Sequence, residues 1–184
     1  DVAAIFWHFQ VSEVWMVAMK SGMKTTAPHS RLACTSGPDA ARRLDQLHLM
    51  LQRDHAALVL IDIQDKLAAR MHDKEALYRN LQILVQGAKA LELPILWLEQ
   101  YPRGLGPTIP EVAELLRDQQ PLAKTCFSAC GLDAFQDTLR ASGRRQILLA
   151  GIESHICVWQ TARDLLNTGH GFLAFGFGSA SFLF

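Results

Sequence analysis

From residue 56 onward, the chain alternates between continuous apolar runs of strand length and longer stretches whose apolar residues recur at helical spacing. "AALVLI", "LPILWLEQ" and "QILLAG" are the clearest runs. A strand buried on both faces reads as an unbroken apolar run, whereas a strand with one wet face alternates. Between the first two runs, Leu77, Leu81, Leu84, Val85, Ala88 and Leu91 predict an amphipathic helix over residues 74–92. "EVAELLRD" predicts a short helix after the Pro- and Gly-rich stretch that begins at Pro102, and "PLAKTC" a short third strand. "GLDAFQDTLRASG" puts Leu132, Phe135 and Leu139 on one face and stops at Gly143, where a helix C-cap is expected. A last helix should hold the segment around Cys157 and end near Gly169. Strand and helix in alternation predict a three-layer α/β/α domain, with a parallel sheet of about five or six strands and helices on both faces.

With 184 residues, 49% of them apolar, the chain can bury one full-sized core. Residues 1–50 read as an N-terminal extension and linker, and 51–184 as the domain. The first twenty residues are apolar, but His8, Gln10 and Glu13 interrupt them and no basic segment precedes them, so no membrane span is expected. The chain does not begin with Met. At the other end, the first half of "GFLAFGFGSASFLF" is a candidate strand. A sheet that stopped there would leave an apolar edge, which invites association, so a homo-oligomer is expected. Formal net charge is zero, which argues against the broad electrostatic footprint of a nucleic-acid or anionic-membrane binder and favours a small-molecule substrate. Cys34, Cys126, Cys130 and Cys157 follow neither zinc-site nor small-scaffold spacing; they read as reduced thiols in a cytoplasmic protein.

In open α/β sheets, ligands sit beyond the carboxyl ends of the strands. Three polar places follow apolar runs: Asp62, Lys124, and the stretch from Glu153 to Cys157. Each alone has a plain structural reading, since a strand-end Asp often caps a turn, a lone Lys is usually solvated and a free Cys usually packs. On a helical wheel, however, Val158, Trp159, Ala162, Leu165 and Leu166 share a stripe, while Cys157 lines up with Thr161, Asp164 and Thr168. A packing cysteine should share the face that packs. The first turn of a helix also favours a thiolate, and a neighbouring Lys would favour it further.

These segments resemble the isochorismatase-like (cysteine hydrolase) superfamily. "ALVLIDIQDKL" is similar to its carboxylate motif at Asp62, "LAKTCFSA" to its lysine motif at Lys124, and "LLAGIESHICVWQTARDLL" to its nucleophile motif at Cys157. "EQYPRGLGPTIPEV" is similar to the isochorismatase domain-containing subgroup. The resemblance covers about residues 54–170 and implies hydrolysis of an amide-type C–N bond through a thioester on Cys157. Asp62 would move the proton and Lys124 would hold the carboxylate. It also implies a cis peptide at Ile152–Glu153 and an oxyanion hole formed by the backbone N–H groups of Glu153 and Cys157. The alternatives are vinyl ether hydrolysis of the isochorismate type, although isochorismatases proper lack the cysteine, and a non-catalytic binding or scaffold role.

Gln64, Tyr101, Phe127 and Trp159 are candidate pocket residues, and core packing is the better reading for Trp97. Nicotinamidases of the superfamily hold a metal through a D-x-H pattern; the corresponding interval contains only His72, so neither metal nor cofactor is expected. His155 reads as structural or pocket-lining, and C-x-x-x-C at Cys126 and Cys130 as incidental. Family members continue beyond "NTGH" with a different strand and helix, so the domain is expected to be shortened at its C-terminus.

Overall fold

The computed structural model describes Phe9–Val11, Val14–Met19 and residues 51–177. The linker expected over residues 21–50, Cys34 within it, and the end of the tail lie outside the described residues. In chain order the elements are β1 (Phe9–Val11), β2 (Val14–Met19), β3 (Ala56–Ile61), α1 (Asp65–Ala68), α2 (Lys74–Ala90), β4 (Ile95–Gln100), α3 (Pro102–Leu105), α4 (Pro110–Ala113), β5 (Leu122–Lys124), α5 (Asp133–Ser142), β6 (Gln146–Gly151), α6 (Trp159–Asn167) and β7 (Gly171–Phe177). The sheet order is β1-β2-β7-β6-β3-β4-β5. The run β7-β6-β3-β4-β5 is parallel, while β1 and β2 add antiparallel at one edge.

The unbroken apolar run of β3 has a direct structural cause. All six of its residues are buried, and alternate side chains enter opposite layers. Ala56, Leu58 and Leu60 pack with Leu77, Leu81 and Val85 of α2, and Ala57, Val59 and Ile61 with Phe135 and Leu139 of α5 and Leu165 of α6. Trp97 is buried in the α2 layer, as its core reading anticipates. The helix predicted over 74–92 closes at Ala90, because Glu92 turns to φ 56° and the chain then enters Pro94 and β4. Gly143 takes φ 66° after α5, the left-handed C-cap conformation that glycine adopts without steric cost.

The edge differs from expectation. The first half of the tail does form a strand, but β7 is not left open, because β2 pairs with it from Val14↔Phe177 to Met19↔Phe172. A hairpin from the segment read as an extension therefore caps the parallel sheet, and an open β7 edge gives no reason for association.

Gly151, at the end of β6, lies directly against Ile61 at the end of β3. A Cβ there would collide with the Ile61 carbonyl oxygen and Cβ, immediately before Asp62 on one strand and Ile152 on the other. Gly151→Ala should therefore force the two strand ends apart and cost about 1–3 kcal/mol, as overpacking typically does. Urea denaturation checks this; an unchanged midpoint contradicts it.

Candidate active site

The three strand-end residues meet at the carboxyl rim of the sheet. Asp62 follows β3 with φ 55°, a left-handed conformation that Asp tolerates better than most side chains. Its N–H donates to Leu98 O and its carbonyl accepts from Gln64 N–H, so both neighbours fix the turn. Lys124 ends β5, two strands away, and reaches back beneath β4. Its Nζ lies 2.7 Å from Asp62 Oδ2, and both side chains are fully buried. The ammonium also donates to Gln100 Oε1 at 2.7 Å and to the carbonyls of Phe127 and Cys126 at 3.2 and 3.3 Å. Four acceptors around three N–H bonds leave it saturated. The other carboxylate oxygen, Asp62 Oδ1, is buried without a hydrogen-bond partner.

Cys157 lies in a turn of π-helix, Ser154–Val158, that runs into α6. The Ile152–Glu153 peptide just before it is cis. The thiol is 7% exposed, so the wheel argument that placed it off the packed face needs correction. That wheel counted only the apolar residues as the packed face. The buried face is broader than that stripe: it takes in Cys157 and Thr161 as well as Val158, Ala162, Leu165 and Leu166, with Thr161 turned toward the β5–α5 loop.

The electrostatics also revise the expected resting state. Burial pushes the Cys157 thiol up to about 12; the Asp62 charge and its contact with the thiol add to this, and only Lys124 opposes it. Cys157 rests as a thiol, and the helix-start and lysine effects do not make it a thiolate. Burial also raises the Asp62 carboxyl above its ordinary 3.8, opposed first by the Lys124 charge and then by the hydrogen bond from Lys124. Acid, amine and sulfur thus form one interacting group in a desolvated setting, with a free carboxylate oxygen available to the thiol proton.

The candidate pocket residues divide. Tyr101, Phe127 and Trp159 are all about half exposed, at 55%, 56% and 51%, and follow β4, β5 and the π-turn respectively. Tyr101 stands against Gly104, where a side chain would strike its ring. Gln64 belongs elsewhere: it is fully buried, its Nε2 donates to Gln100 O and Gly106 O, and its Oε1 accepts from Gln100 N–H. Its amide is spent on backbone, so it acts as a strut that fixes the end of β4. His155 is exposed. The Glu153 carbonyl accepts from the N–H groups of Ile156 and Val158, which shapes the π-turn. Among the described residues, no three His, Cys, Asp or Glu side chains are grouped to hold a metal ion. A cavity of about 700 Å³ between α5 and α6 is lined by Leu139, Arg144 and His170, among others, and by none of the three rim residues.

Gln100 was missed from the sequence. Its Oε1 accepts from Lys124 Nζ, and its Nε2 donates to Thr125 O at 3.0 Å. It sits at the end of an apolar strand run, the same signal that picked out Asp62.

A mainly parallel sheet with helices on both faces, bringing a carboxylate, an ammonium and a thiol to one rim, defines the chain as an α/β protein. Residues 56–173 match the isochorismatase domain, and the chain belongs to the isochorismatase family. It is 41% identical over 114 residues to isochorismatase domain-containing protein 2 of Macaca fascicularis, covering 61% of this chain and 53% of that protein. The human protein of the same description is 40% identical over 116 residues, covering 62% of this chain and 54% of that protein. The chain thus spans about half the length of these curated relatives. Among solved structures, the MAR1 ribonuclease of Caenorhabditis elegans is similar with a TM-score of 0.61 and 35% identity, covering 66% of this chain and 62% of that one. The Escherichia coli YcaC product, described as an octameric hydrolase of unknown specificity, is similar with a TM-score of 0.63 and 25% identity over the same shares.

Proposed function

We propose that the chain is a cysteine hydrolase that cleaves an amide-type C–N bond of a small molecule through a thioester on Cys157. The observation that supports this most is an Asp62 carboxyl that interacts with the buried Cys157 thiol and keeps one buried oxygen, Oδ1, unpartnered while Lys124 holds the other. In this reading the thiol proton passes to Asp62 as Sγ attacks the carbonyl carbon. The backbone N–H groups of Glu153 and Cys157 receive the developing oxyanion; losing one such donor typically costs about 2.7–4 kcal/mol. The tetrahedral adduct then expels the amine, which takes the proton from Asp62. Water, deprotonated by the same carboxylate, cleaves the thioester and restores the thiol. Lys124 keeps Asp62 ionised despite its burial. Tyr101, Phe127 and Trp159 offer apolar surface to the acyl part of the substrate.

The worm neighbour's description as a ribonuclease makes RNA the competing substrate class. Phosphodiester cleavage calls for a cation free to meet phosphate, and Lys124 Nζ already meets four acceptors. A panel of small amides assayed for released ammonia, with a single-stranded RNA included, tests the choice. Ammonia release supports amide chemistry, RNA cleavage without it replaces the reading, and turnover of neither leaves the non-catalytic role. The octameric description of the E. coli neighbour supports a homo-oligomer, and free thiols at Cys126, Cys130 and Cys157 fit a reducing, cytoplasmic setting.

A further inference from the structure

Lys124 ends β5, just ahead of the loop that leads into α5, and Cys157 lies in the π-turn that leads into α6. Neither loop is paired to the other by sheet hydrogen bonds. A buried hydroxyl joins them. Thr161 is fully buried in the second turn of helical structure after Cys157. Its Oγ1 donates to the Cys157 carbonyl at 2.7 Å and accepts from the Ala129 N–H at 2.9 Å, across 32 residues of chain. Ala129 is itself fully buried. It directly follows the segment whose carbonyls, at Cys126 and Phe127, cradle the Lys124 ammonium.

We propose that Thr161 is a positioning residue that fixes the Lys124 cradle against the Cys157 turn and so sets the spacing of ammonium and sulfur. A hydroxyl is the one small group that can do this from an α-helix interior, since it offers a donor and an acceptor at the same atom. Valine has nearly the same shape and offers neither. It would leave the buried Ala129 N–H without its partner, and the segment would shift to find another. The charged groups facing Cys157 are Asp62 and Lys124. Of these, Lys124 favours the thiolate, so loosening its cradle weakens the influence that lowers the thiol's titration.

The inference rests on Cys157 being the nucleophile, but its test needs no substrate. The rate of iodoacetamide alkylation at Cys157 is followed against pH in the full chain, resolved from Cys126 and Cys130 by peptide mass spectrometry. In Thr161→Val the profile should move up by about one pH unit, which is about a tenfold lower rate at a fixed pH below the thiol's titration. Thr161→Ser loses a methyl group and with it some stability, yet keeps the hydroxyl, so its profile should stay on the wild-type curve. A purely structural role would lower the stability of both variants and shift neither profile. A Thr161→Val profile that coincides with wild type, or a Thr161→Ser profile that moves with it, overturns the proposal. If Thr161→Val does not fold, Thr161→Ala is measured in its place with the same two outcomes. Failure of amide hydrolysis together with a shifted profile would remove the proposed function and leave this one standing.

Discussion

Lys124→Met is expected to destabilise the folded chain by about 3–5 kcal/mol near neutral pH, because it leaves the fully buried Asp62 carboxylate without its cation. The pair itself adds little net stability. Its two charges were both taken out of water, and their attraction at 2.7 Å mainly offsets that loss. The large effect comes from breaking the pair on one side only. Asp62→Asn with Lys124→Met should therefore recover most of the loss, and the double-mutant cycle should give a coupling of the same sign and of several kcal/mol. The single variant should also show a definite pH dependence. Burial already raises the folded Asp62 carboxyl above 3.8, and removing Lys124 removes the largest opposing influence. A carboxyl with a raised folded-state value binds its proton more readily folded than unfolded. Its destabilising effect is thus absent below pH 3.8 and grows as pH rises through the folded-state value. Urea midpoints from pH 3 to pH 8 check this. Equal losses at both ends of the range would contradict the description of Asp62 as a buried ionised group.

Cys157→Ala is expected to abolish hydrolysis of any amide the wild-type chain turns over, by at least about 10³-fold in kcat, the scale seen when the nucleophile of a concerted group is removed. Folding should be nearly unaffected, because alanine leaves only a small cavity and removes a thiol that burial holds neutral. The wild-type rate should fall as pH drops through the raised Asp62 value, since a protonated carboxyl cannot take the thiol proton. No acid limb should arise from the thiol, which stays protonated up to about 12 in the resting site. An enzyme that depended on a preformed thiolate would instead gain rate as the thiol titrates. The pH profile therefore distinguishes proton transfer to Asp62 from a standing thiolate.

The central layers were legible because one physical rule controls them. A strand buried on both faces has no polar position, so β3, β4 and β6 stand out as apolar runs, and the periodic segments between them must cover the two faces. The same topology makes strand ends the place to look for chemistry, which is how Asp62, Lys124 and Cys157 came to attention. Gln100 ends β4 by the same rule but was passed over, since a strand-end Gln carries no charge to suggest a role. The hairpin β1–β2 could not be read at all. β1 has only three residues, and the pairing of β2 with β7 joins segments more than 150 residues apart, a contact that no local pattern encodes. The inward face of Cys157 and Thr161 was misjudged because Thr161 is polar, and only the tertiary structure supplies the Ala129 N–H that lets its hydroxyl be buried. Gln64 looked like a pocket residue for its position beside Asp62, while its amide is bound to three backbone groups that only the tertiary structure brings within reach.

The account stands or falls on whether the sulfur of Cys157 carries the acyl group during turnover. Acid-quenched reactions with an amide from the panel, digested and weighed, give the answer. The expected result is the acyl mass on the peptide containing Cys157, appearing with the first release of ammonia and disappearing as substrate is exhausted. Ammonia released while Cys157 remains unmodified throughout, or with the acyl group on a different residue, would contradict it.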